Sequence, residues 1–194
     1  MNTLAYSPEG AYLISGSDDQ TVIVWDVGQG QPIGDPFIGH SDSVLDVAVN
    51  PTLVKGAAEA SQRSASGVIA SGSADGTIIL WDLAAAEALS HSLVGHNDSV
   101  RDVAFSPDGQ MLASGSTDTT ILLCDVASRR PLGSPLTAHT SFVNDVDFSP
   151  DTPEGTGGQL LASAGDDRNV ILWDMTTRRP IITLQTVLND LVLS

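Results

Sequence analysis

The stretch SGSADGTIILWD, residues Ser71–Asp82, decides how this 194-residue chain folds, because the chain contains four versions of it. The others align with it without a gap: SGSDDQTVIVWD at Ser15–Asp26, SGSTDTTILLCD at Ser114–Asp125 and SAGDDRNVILWD at Ser163–Asp174. Self-similarity of this kind is the signature of a repeat architecture, in which every copy forms the same small unit. The sequence therefore predicts four copies of one structural unit.

Two further spacings repeat outside this stretch. A histidine lies 14 residues after the closing aspartate in three repeats, as His40, His96 and His139, and a valine lies four residues after each histidine. Successive closing aspartates are 56, 43 and 49 residues apart, and the excess falls in the connection that precedes the next serine. Because lengthening a surface loop costs little closure entropy, this connection is predicted to be a surface loop.

The repeats have the composition of β-strands. Runs such as Ile-Ile-Leu-Trp are β-branched and aromatic, and Ser106–Gly109 reads Ser-Pro-Asp-Gly, which is typical of a turn. Only Leu83–Leu89 has a helical composition, and this segment aligns with a turn and a strand entry in the sister repeats. Four short strands in roughly 40–45 residues are typical of a propeller blade, so an all-β propeller array is predicted.

The Gly-His pairs at His40 and His96 and the Trp-Asp pairs at Trp25, Trp81 and Trp173 resemble those of WD40 repeats. The closeness of the tandem copies resembles bacterial multi-repeat arrays of this family, and also fungal ones. The resemblance implies that the strand after Trp-Asp is the outermost of its blade and that the strand after Gly-His is the innermost of the next. The implied blades are residues 1–38, 43–94, 99–137 and 142–185, with residues 186–194 as the start of a further repeat.

Serine, histidine and aspartate recur together in the repeats, for example as Ser114, His96 and Asp118. These residue types also form hydrolase triads, but no Gly-x-Ser-x-Gly turn surrounds the serines, and catalysis does not need several copies. A Trp–Ser–His–Asp chain satisfies every polar group, since Trp only donates and ionised Asp only accepts hydrogen bonds. The structural tetrads implied by the resemblance are His40, Ser71, Asp75 and Trp81; His96, Ser114 and Asp118; His139, Ser163, Asp167 and Trp173; and Ser15, Asp19 and Trp25, which lack a histidine.

Some positions depart from the repeat pattern, and neither end of the sequence completes a repeat. Cys124 stands where the third repeat should have a tryptophan, and Leu188 stands where a fifth histidine is due. The first residues align with the inside of an innermost strand, and the last residues align with the same strand. Three interpretations follow: a fragment of a longer array, which we favour, two chains that complete an eight-bladed ring, or a strained four-bladed ring. Open blade edges predict self-association.

Partner contacts in the WD40 family concentrate on the loops before the innermost strands. The residues implied in this chain are Asp18, Ser43, Leu45, Ala74, Ser99, Arg101, Thr117, Phe142, Asn144 and Asp166. Phe142 is either an exposed anchor for a partner or a residue packed into the neighbouring blade. Three aspartates, Asp46, Asp102 and Asp145, also recur on the innermost strands. We expect them to accept hydrogen bonds from turn backbone, and the alternative is an acidic ring around a channel.

Composition narrows the class of function. The chain has 24 Asp and Glu against 8 Lys and Arg, a formal charge of -16, so nucleic acid and anionic membrane partners are not expected. Its one cysteine cannot form an internal disulfide, and no segment has the length of a membrane span. No cofactor or metal is expected, and a cytoplasmic protein is predicted.

The function predicted from these observations is a non-catalytic protein–protein interaction scaffold. Such an array is expected to be the sensing or assembly part of a larger signalling protein. Propellers also host enzymes, so a hydrolase-type or metal-dependent enzyme is the alternative, and it requires a cluster of acid and base residues that does not repeat. A truncated fragment without independent function is the third interpretation.

Overall fold

The computed structural model describes residues 1–52, 67–83, 87–88, 95–150 and 159–185. Every strand in these ranges belongs to one of four antiparallel sheets, which follow one another along the chain as blades 1 to 4. Blade 1 comprises β1 (Thr3–Tyr6), β2 (Tyr12–Gly16), β3 (Thr21–Asp26), β4 (Gln31–Pro32) and β5 (Phe37–Ile38). Blade 2 comprises β6 (Val44–Val49), β7 (Val68–Ser73), β8 (Ile78–Asp82) and β9 (Glu87–Ala88). Blade 3 comprises β10 (Val100–Phe105), β11 (Met111–Ser116), β12 (Ile121–Asp125) and β13 (Arg130–Pro131), and blade 4 comprises β14 (Val143–Phe148), β15 (Leu160–Gly165), β16 (Asn169–Asp174) and β17 (Arg179–Gln185).

The repeated stretch of sequence forms the central hairpin of each blade. In blade 2 its first residues end β7 and its last residues form β8, so that Ser71 lies opposite Ile79 and Ile69 lies opposite Trp81. The turn between the two strands contains Gly76 in the left-handed region, at φ +78°. The other three blades place a non-glycine residue at the same turn position with φ between +66° and +74°, namely Gln20, Thr119 and Arg168. The turn conformation is therefore a property of the repeat and does not depend on glycine.

Neighbouring blades pack face to face, because residues that alternate along a strand point to opposite faces of its sheet. We call the face toward the next blade along the chain the forward face, and the face toward the preceding blade the rear face. Blade 1 meets blade 2 through Tyr12, Ile14, Val22, Val24 and Phe37 against Val44, Val47, Ile69, Ile79, Trp81 and Leu83. Blade 2 meets blade 3 through Val68, Ala70, Ile78 and Leu80 against Val100, Val103, Leu112, Cys124 and Val126. Blade 3 meets blade 4 through Ala113, Ile121, Leu123 and Leu136 against Val143, Val146, Phe148, Leu161, Ile171, Trp173 and Met175.

A glycine in β2, β7 and β11 allows the innermost strands to approach closely. A Cβ atom on Gly16, Gly72 or Gly115 would lie only 2.6–2.8 Å from a Cγ1 atom of the valine that begins the next innermost strand. A contact that short forces a rearrangement in a packed core. Small residues are therefore required at this position wherever another blade follows.

The four blades form an open array. The innermost strands pack in the order β1, β6, β10 and β14, and no comparable packing joins β14 back to β1 in the described part of the chain. The strained four-bladed ring considered from the sequence is therefore wrong, and the all-β fold is that of an incomplete propeller. Among the residues that the structure describes, no blade packs on the forward face of blade 4 or on the rear face of blade 1.

Some expectations fall on residues outside the described ranges. They concern most of the lengthened connection between β6 and β7 and of that between β14 and β15. They also concern the helical composition around residues 84–86, the end of the second implied blade at residues 89–94 and the further repeat expected from residue 186, which includes Leu188. The blade boundaries predicted from the sequence stay predictions for the same reason.

Candidate functional site

In blade 2 the structure brings the four predicted tetrad residues together. The Trp81 indole Nε1–H donates to the Ser71 Oγ over 2.8 Å. The Ser71 Oγ lies 2.6 Å from the His40 Nε2, and the other ring nitrogen, Nδ1, lies 3.4 Å from the Asp75 carboxylate and 3.1 Å from the Thr77 hydroxyl. The Asp75 carboxylate also accepts the backbone N–H of Ser41 and both donors of Thr77. The tetrad thus joins the loop before β6 to the β7–β8 hairpin.

Blade 4 repeats this arrangement with the same partners. Trp173 Nε1–H donates to Ser163 over 2.9 Å, and Ser163 lies 2.8 Å from His139 Nε2. The Nδ1 of His139 lies 2.9 Å from the nearer carboxylate oxygen of Asp167. These bonds hold the loop before β14, which contains His139, against the β15–β16 hairpin, which contains Ser163 and Asp167.

Two blades carry an incomplete set. In blade 3, His96 Nε2 lies 2.8 Å from Ser114 and its Nδ1 lies 3.0 Å from Asp118, while the thiol of Cys124 donates to its neighbour's carbonyl. Ser114 therefore has no indole donor. In blade 1, Trp25 donates to Ser15 over 2.9 Å, and Asp19 accepts hydrogen bonds from the backbone and hydroxyl of Thr21 within its own turn.

The electrostatics of the tetrads are those of a structural network. Burial lowers the pKa of His40 and of His96, which keeps each ring neutral, with one nitrogen to accept from serine and one to donate to aspartate. Burial acts to raise the pKa of Asp75, but hydrogen bonds from Thr77 and from the backbone of Ser41 lower it to about 2. Ser71 and Ser114 are fully buried, so a substrate cannot reach either hydroxyl. The arrangement can hold a fold together, and it offers no exposed nucleophile.

Replacing Cys124 by tryptophan is expected to stabilise the protein by about 1 kcal/mol, because the new indole N–H gives Ser114 the donor that it lacks. Thermal unfolding followed by circular dichroism measures the effect. The matched control is Cys124→Phe, which adds an aromatic ring without a donor. An equal gain for both variants, or a lower melting temperature for tryptophan alone, would contradict the role of the indole in the tetrad.

The recurring aspartates of the innermost strands connect one blade to the next. Asp46 accepts the backbone N–H of Val103 over 3.1 Å, and Asp102 accepts the backbone N–H of Val146 over 2.7 Å. Thr3 occupies the same position in blade 1, and its hydroxyl donates to Asp46 over 2.7 Å. The backbone acceptor role expected from the sequence is therefore present, but the donor belongs to the following blade and not to a turn.

Asp102 is half-buried beside Asp46. This burial, and then the negative charge of Asp46, raise the pKa of Asp102 well above its ordinary value. A carboxyl group whose pKa is raised by folding destabilises the folded state as the pH rises from its unfolded value, near 3.8, through its value in the fold. The proximity of Asp46 and Asp102 therefore lowers the free energy of unfolding, and this loss grows as the pH rises.

The variant Asp102→Asn is expected to melt at a higher temperature than the wild type, with a gap that widens between pH 5 and pH 8. An asparagine oxygen can still accept the Val146 N–H, whereas the half-buried charge beside Asp46 is gone. Melting curves at pH 5, 6.5 and 8 measure the difference, in which the histidine contributions common to both proteins cancel. Asp35→Asn is the control, because it removes the same charge at an exposed position of a loop. A gap that stays constant or narrows would contradict this electrostatic account.

The predicted partner-contact residues lie together at one end of the blades, where the innermost strands begin. None of them is buried. Backbone bonds join the two loops within a blade: Ala74 N–H donates to the Ser43 carbonyl, Thr117 to Ser99 and Asp166 to Phe142. We call this surface the upper surface, and it consists of Asp18, Ser43, Leu45, Ala74, Ser99, Arg101, Thr117, Phe142, Asn144 and Asp166.

Side-chain bonds continue the upper surface from one blade to the next. Arg101 Nε donates to the Asn144 amide oxygen over 3.3 Å, and the Asn144 amide donates in turn to the Asp166 carboxylate. Ser99 donates to the Ala74 carbonyl over 3.3 Å. Phe142 is 42% exposed, so its ring is neither packed into the neighbouring blade nor fully in water. The upper surface of blades 3 and 4 therefore presents an aromatic ring beside an Arg–Asn–Asp row.

In the described part of the chain, no group of three or more His, Cys, Asp or Glu side chains is arranged to hold a metal ion. The same residues contain no helix that is long and apolar enough to cross a membrane. The site residues that sequence reasoning missed are the inter-blade donors, Thr3 and the amides of Val103 and Val146. The only signal in the sequence was that Thr3, Asp46 and Asp102 occupy the same position of the repeat. The sequence does not show which backbone N–H group faces each of these side chains.

Comparison with known proteins gives a family match and several partial relatives. The family model described as "WD domain, G-beta repeat" matches residues 1–26, 30–82, 87–125 and 129–174. The guanine nucleotide-binding protein subunit beta of Oryza sativa subsp. indica is 35% identical over 102 residues, which are 50% of this chain and 24% of that protein. The subunit of the same name from Zea mays is 37% identical over 101 residues, 50% of this chain and 23% of the relative.

A fungal protein matches a similar portion. The nuclear distribution protein nudF of Aspergillus terreus is 34% identical over 112 residues, which cover 54% of this chain and 24% of the relative. The chain thus spans about a quarter of the length of these relatives. They come from plants and a fungus, and they give no support to the bacterial resemblance expected from the sequence.

Proposed function

Since this chain belongs to the WD40 repeat family, we propose that it is a non-catalytic scaffold that binds a protein partner on its upper surface. The observation that carries the proposal is the continuous, accessible row of Arg101, Asn144 and Asp166 next to the half-exposed ring of Phe142. Aromatic and arginine side chains contribute most strongly to protein interfaces when a partner desolvates them. The partner surface that suits this row has a pocket for an aromatic ring and paired acidic and amide groups.

The absence of accessible chemistry in the tetrads supports a binding role. The serine hydroxyls of blades 2 and 4 are bonded to both histidine and tryptophan, that of blade 3 to histidine and that of blade 1 to tryptophan. A rigid stack of blades holds the upper-surface loops in place, so little ordering entropy is lost on binding. The names of the plant relatives describe subunits of an assembly, which agrees with a scaffold. We further propose that the chain acts in the cytoplasm, in the sensing or assembly part of a larger signalling protein.

An affinity capture experiment tests this proposal. The wild-type chain and the double variant Arg101→Ala/Phe142→Ala are immobilised and exposed to the same extract, and bound proteins are identified by mass spectrometry. The matched control is Gln110→Ala/Ser128→Ala, at exposed positions on turns at the opposite end of blade 3. We expect the double variant to lose partners that the wild type and the control both retain. Equal capture by all three proteins would contradict binding through the upper surface.

The enzymatic alternative has no observation in its favour among the described residues. It requires an accessible cluster of acid and base groups that occurs once, and the titratable groups brought together here are the repeated tetrads and the Asp46–Asp102 pair. The scaffold is therefore the function that we put forward.

A further inference from the structure

The forward face of blade 4 is apolar and open. Its central residues, Ala162, Val170 and Leu172, correspond to Ala113, Ile121 and Leu123 of blade 3, all of which are buried against blade 4. In blade 4 the three residues are only half-buried. On the adjacent strand β17, Ile182 lies opposite Leu172 and Leu184 lies opposite Val170, and these two side chains are 47% and 52% exposed. The face thus carries the residues of a blade interface without the blade that covers it.

The rear face of blade 1 is the complementary half of the same interface. Leu4 corresponds to Val47, Val103 and Val146, which are at most 4% exposed, whereas Leu4 is 56% exposed. Val27 is 45% exposed at a position where the other blades bury Leu83, Val126 and Met175. Tyr6 and Met1 lie on the same face and are 65% and 68% exposed. Leu13, Ile23 and Trp25 on this face are half-buried.

We propose that a second copy of this chain covers each open face, with the forward face of blade 4 packed on the rear face of blade 1 of the other copy. The three interfaces inside the chain show that faces of this composition pack on each other. At the positions that the internal interfaces use, the two open faces also carry mainly apolar residues, so a second copy can supply the face that each of them lacks. Two copies placed in this way contribute eight blades, which lies within the range of 4–8 blades found in closed propellers.

The hydrogen bond that an innermost-strand aspartate accepts from the next blade has no counterpart at Asp145 of blade 4 among the described residues. Asp46 and Asp102 each accept a backbone N–H from the next blade, and Asp145 occupies the corresponding position in blade 4 with its side chain exposed. The residue of blade 1 in register with the donors Val103 and Val146 is Leu4, since Leu4 lies opposite Ser15 as Val103 lies opposite Ser114. In the two-copy ring, Asp145 therefore accepts the Leu4 amide of the second copy.

One position departs from the internal pattern and fits the proposal. Ala164 replaces the glycine that touches the valine of the next innermost strand in the other interfaces. The residue of blade 1 in register with those valines is Met1. An unbranched methionine can turn its side chain away from an added methyl group, whereas a β-branched valine cannot do so as readily.

The two-copy ring has a defined symmetry and a defined salt dependence. Each copy contributes one forward and one rear face, so the ring contains two equal interfaces related by a two-fold axis, and association stops at two copies. Each chain carries a formal charge of -16, and the two charges repel each other. Because salt screens this repulsion while the interface is apolar, higher ionic strength should tighten the association.

The mass of the 194-residue chain in solution tests the proposal. Light scattering after size exclusion, over a range of protein concentrations, is expected to give twice the chain mass of 20.1 kDa, and the dimer should tighten between 0.05 and 0.5 M salt. A mass of one chain at every concentration, or a polymer that grows with concentration, would overturn the two-copy ring.

Variants on the two faces test which surfaces meet. Leu172→Glu and Leu4→Lys each place a charge in the proposed interface, so either change alone should raise the dimer dissociation constant at least about a hundredfold. The control Thr176→Glu adds a charge on an exposed turn of blade 4 and should leave the dimer intact. Circular dichroism establishes that each variant keeps its strands, which is expected because Leu4 is exposed and Leu172 only half-buried.

Mixing the two face variants distinguishes head-to-tail packing from other dimers. A mixed dimer has one wild-type interface and one in which the glutamate of the Leu172→Glu variant meets the lysine of the Leu4→Lys variant. The mixture is therefore expected to dimerise although neither variant does so alone. If the mixture stays monomeric, or if Leu4→Lys has no effect while Leu172→Glu abolishes the dimer, the proposed pairing is wrong. These results are independent of partner capture by the upper surface, which uses other residues.

Discussion

Replacing Trp81 by alanine is expected to lower the free energy of unfolding by about 3–5 kcal/mol, the usual cost of removing a large aromatic side chain from a core. Trp81 is 1% exposed, stacks on Phe37 with ring centroids 5.2 Å apart and donates its N–H to Ser71. The substitution therefore opens a cavity between blades 1 and 2 and removes a donor from a buried tetrad.

Trp25 provides the matched control, since it occupies the same position of the repeat and donates an equivalent hydrogen bond to Ser15. Its ring is only half-buried, on the open rear face of blade 1. We expect Trp25→Ala to cost about 1 kcal/mol, comparable to a single hydrogen bond. Urea unfolding measures both variants in the Leu172→Glu background, in which the rear face of blade 1 is expected to stay uncovered. Similar losses for the two would show that burial between blades does not determine the stability of this fold.

Replacing Gly115 by valine is expected to destabilise the protein by about 3 kcal/mol, because overpacking a closed core forces side chains and backbone to shift. A Cβ atom at Gly115 would lie 2.8 Å from the Cγ1 of Val143 and 3.3 Å from that of Val146. Both valines belong to blade 4, so the added side chain would separate blades 3 and 4 at their innermost strands.

The control for this change is Ala164→Val, at the same position of the fourth repeat. Within the described ranges no blade faces Ala164, and a valine there is expected to change the free energy of unfolding of one chain by less than about 0.5 kcal/mol. Chemical unfolding of the two variants in the Leu172→Glu background separates this effect from association between copies. A loss at Ala164 as large as that at Gly115 would contradict the open forward face of blade 4.

Much of the fold followed from spacing in the sequence. The repeated stretch from Ser71 to Asp82 predicted a hairpin, and the distance from the closing aspartate to His96 predicted the next loop. Donor and acceptor chemistry then predicted the order of the hydrogen bonds in each tetrad. These features were accessible because they arise within one repeat, where spacing along the chain determines which side chains meet.

Contacts between blades could not be predicted from spacing. The aspartates of the innermost strands were expected to bond to nearby turns, but Asp46 and Asp102 accept N–H groups of the following blade. Those donors are backbone atoms 57 and 44 residues away, and every residue has such an atom, so residue type gives no signal. The proximity of Asp46 and Asp102 was expected only under the alternative of an acidic ring.

The sequence alone therefore determined the unit: the number of repeats, their β-strands, the central hairpin and the residues of each tetrad. Only the tertiary structure decided how the units meet, which apolar residues lose contact with water and where the array stays open. Leu4, Val27 and Leu184 remain exposed and Leu172 half-buried. The physical reason is that the periodic pattern of a strand shows which residues share a face, whereas burial depends on a second face that comes from a distant part of the chain or from another copy.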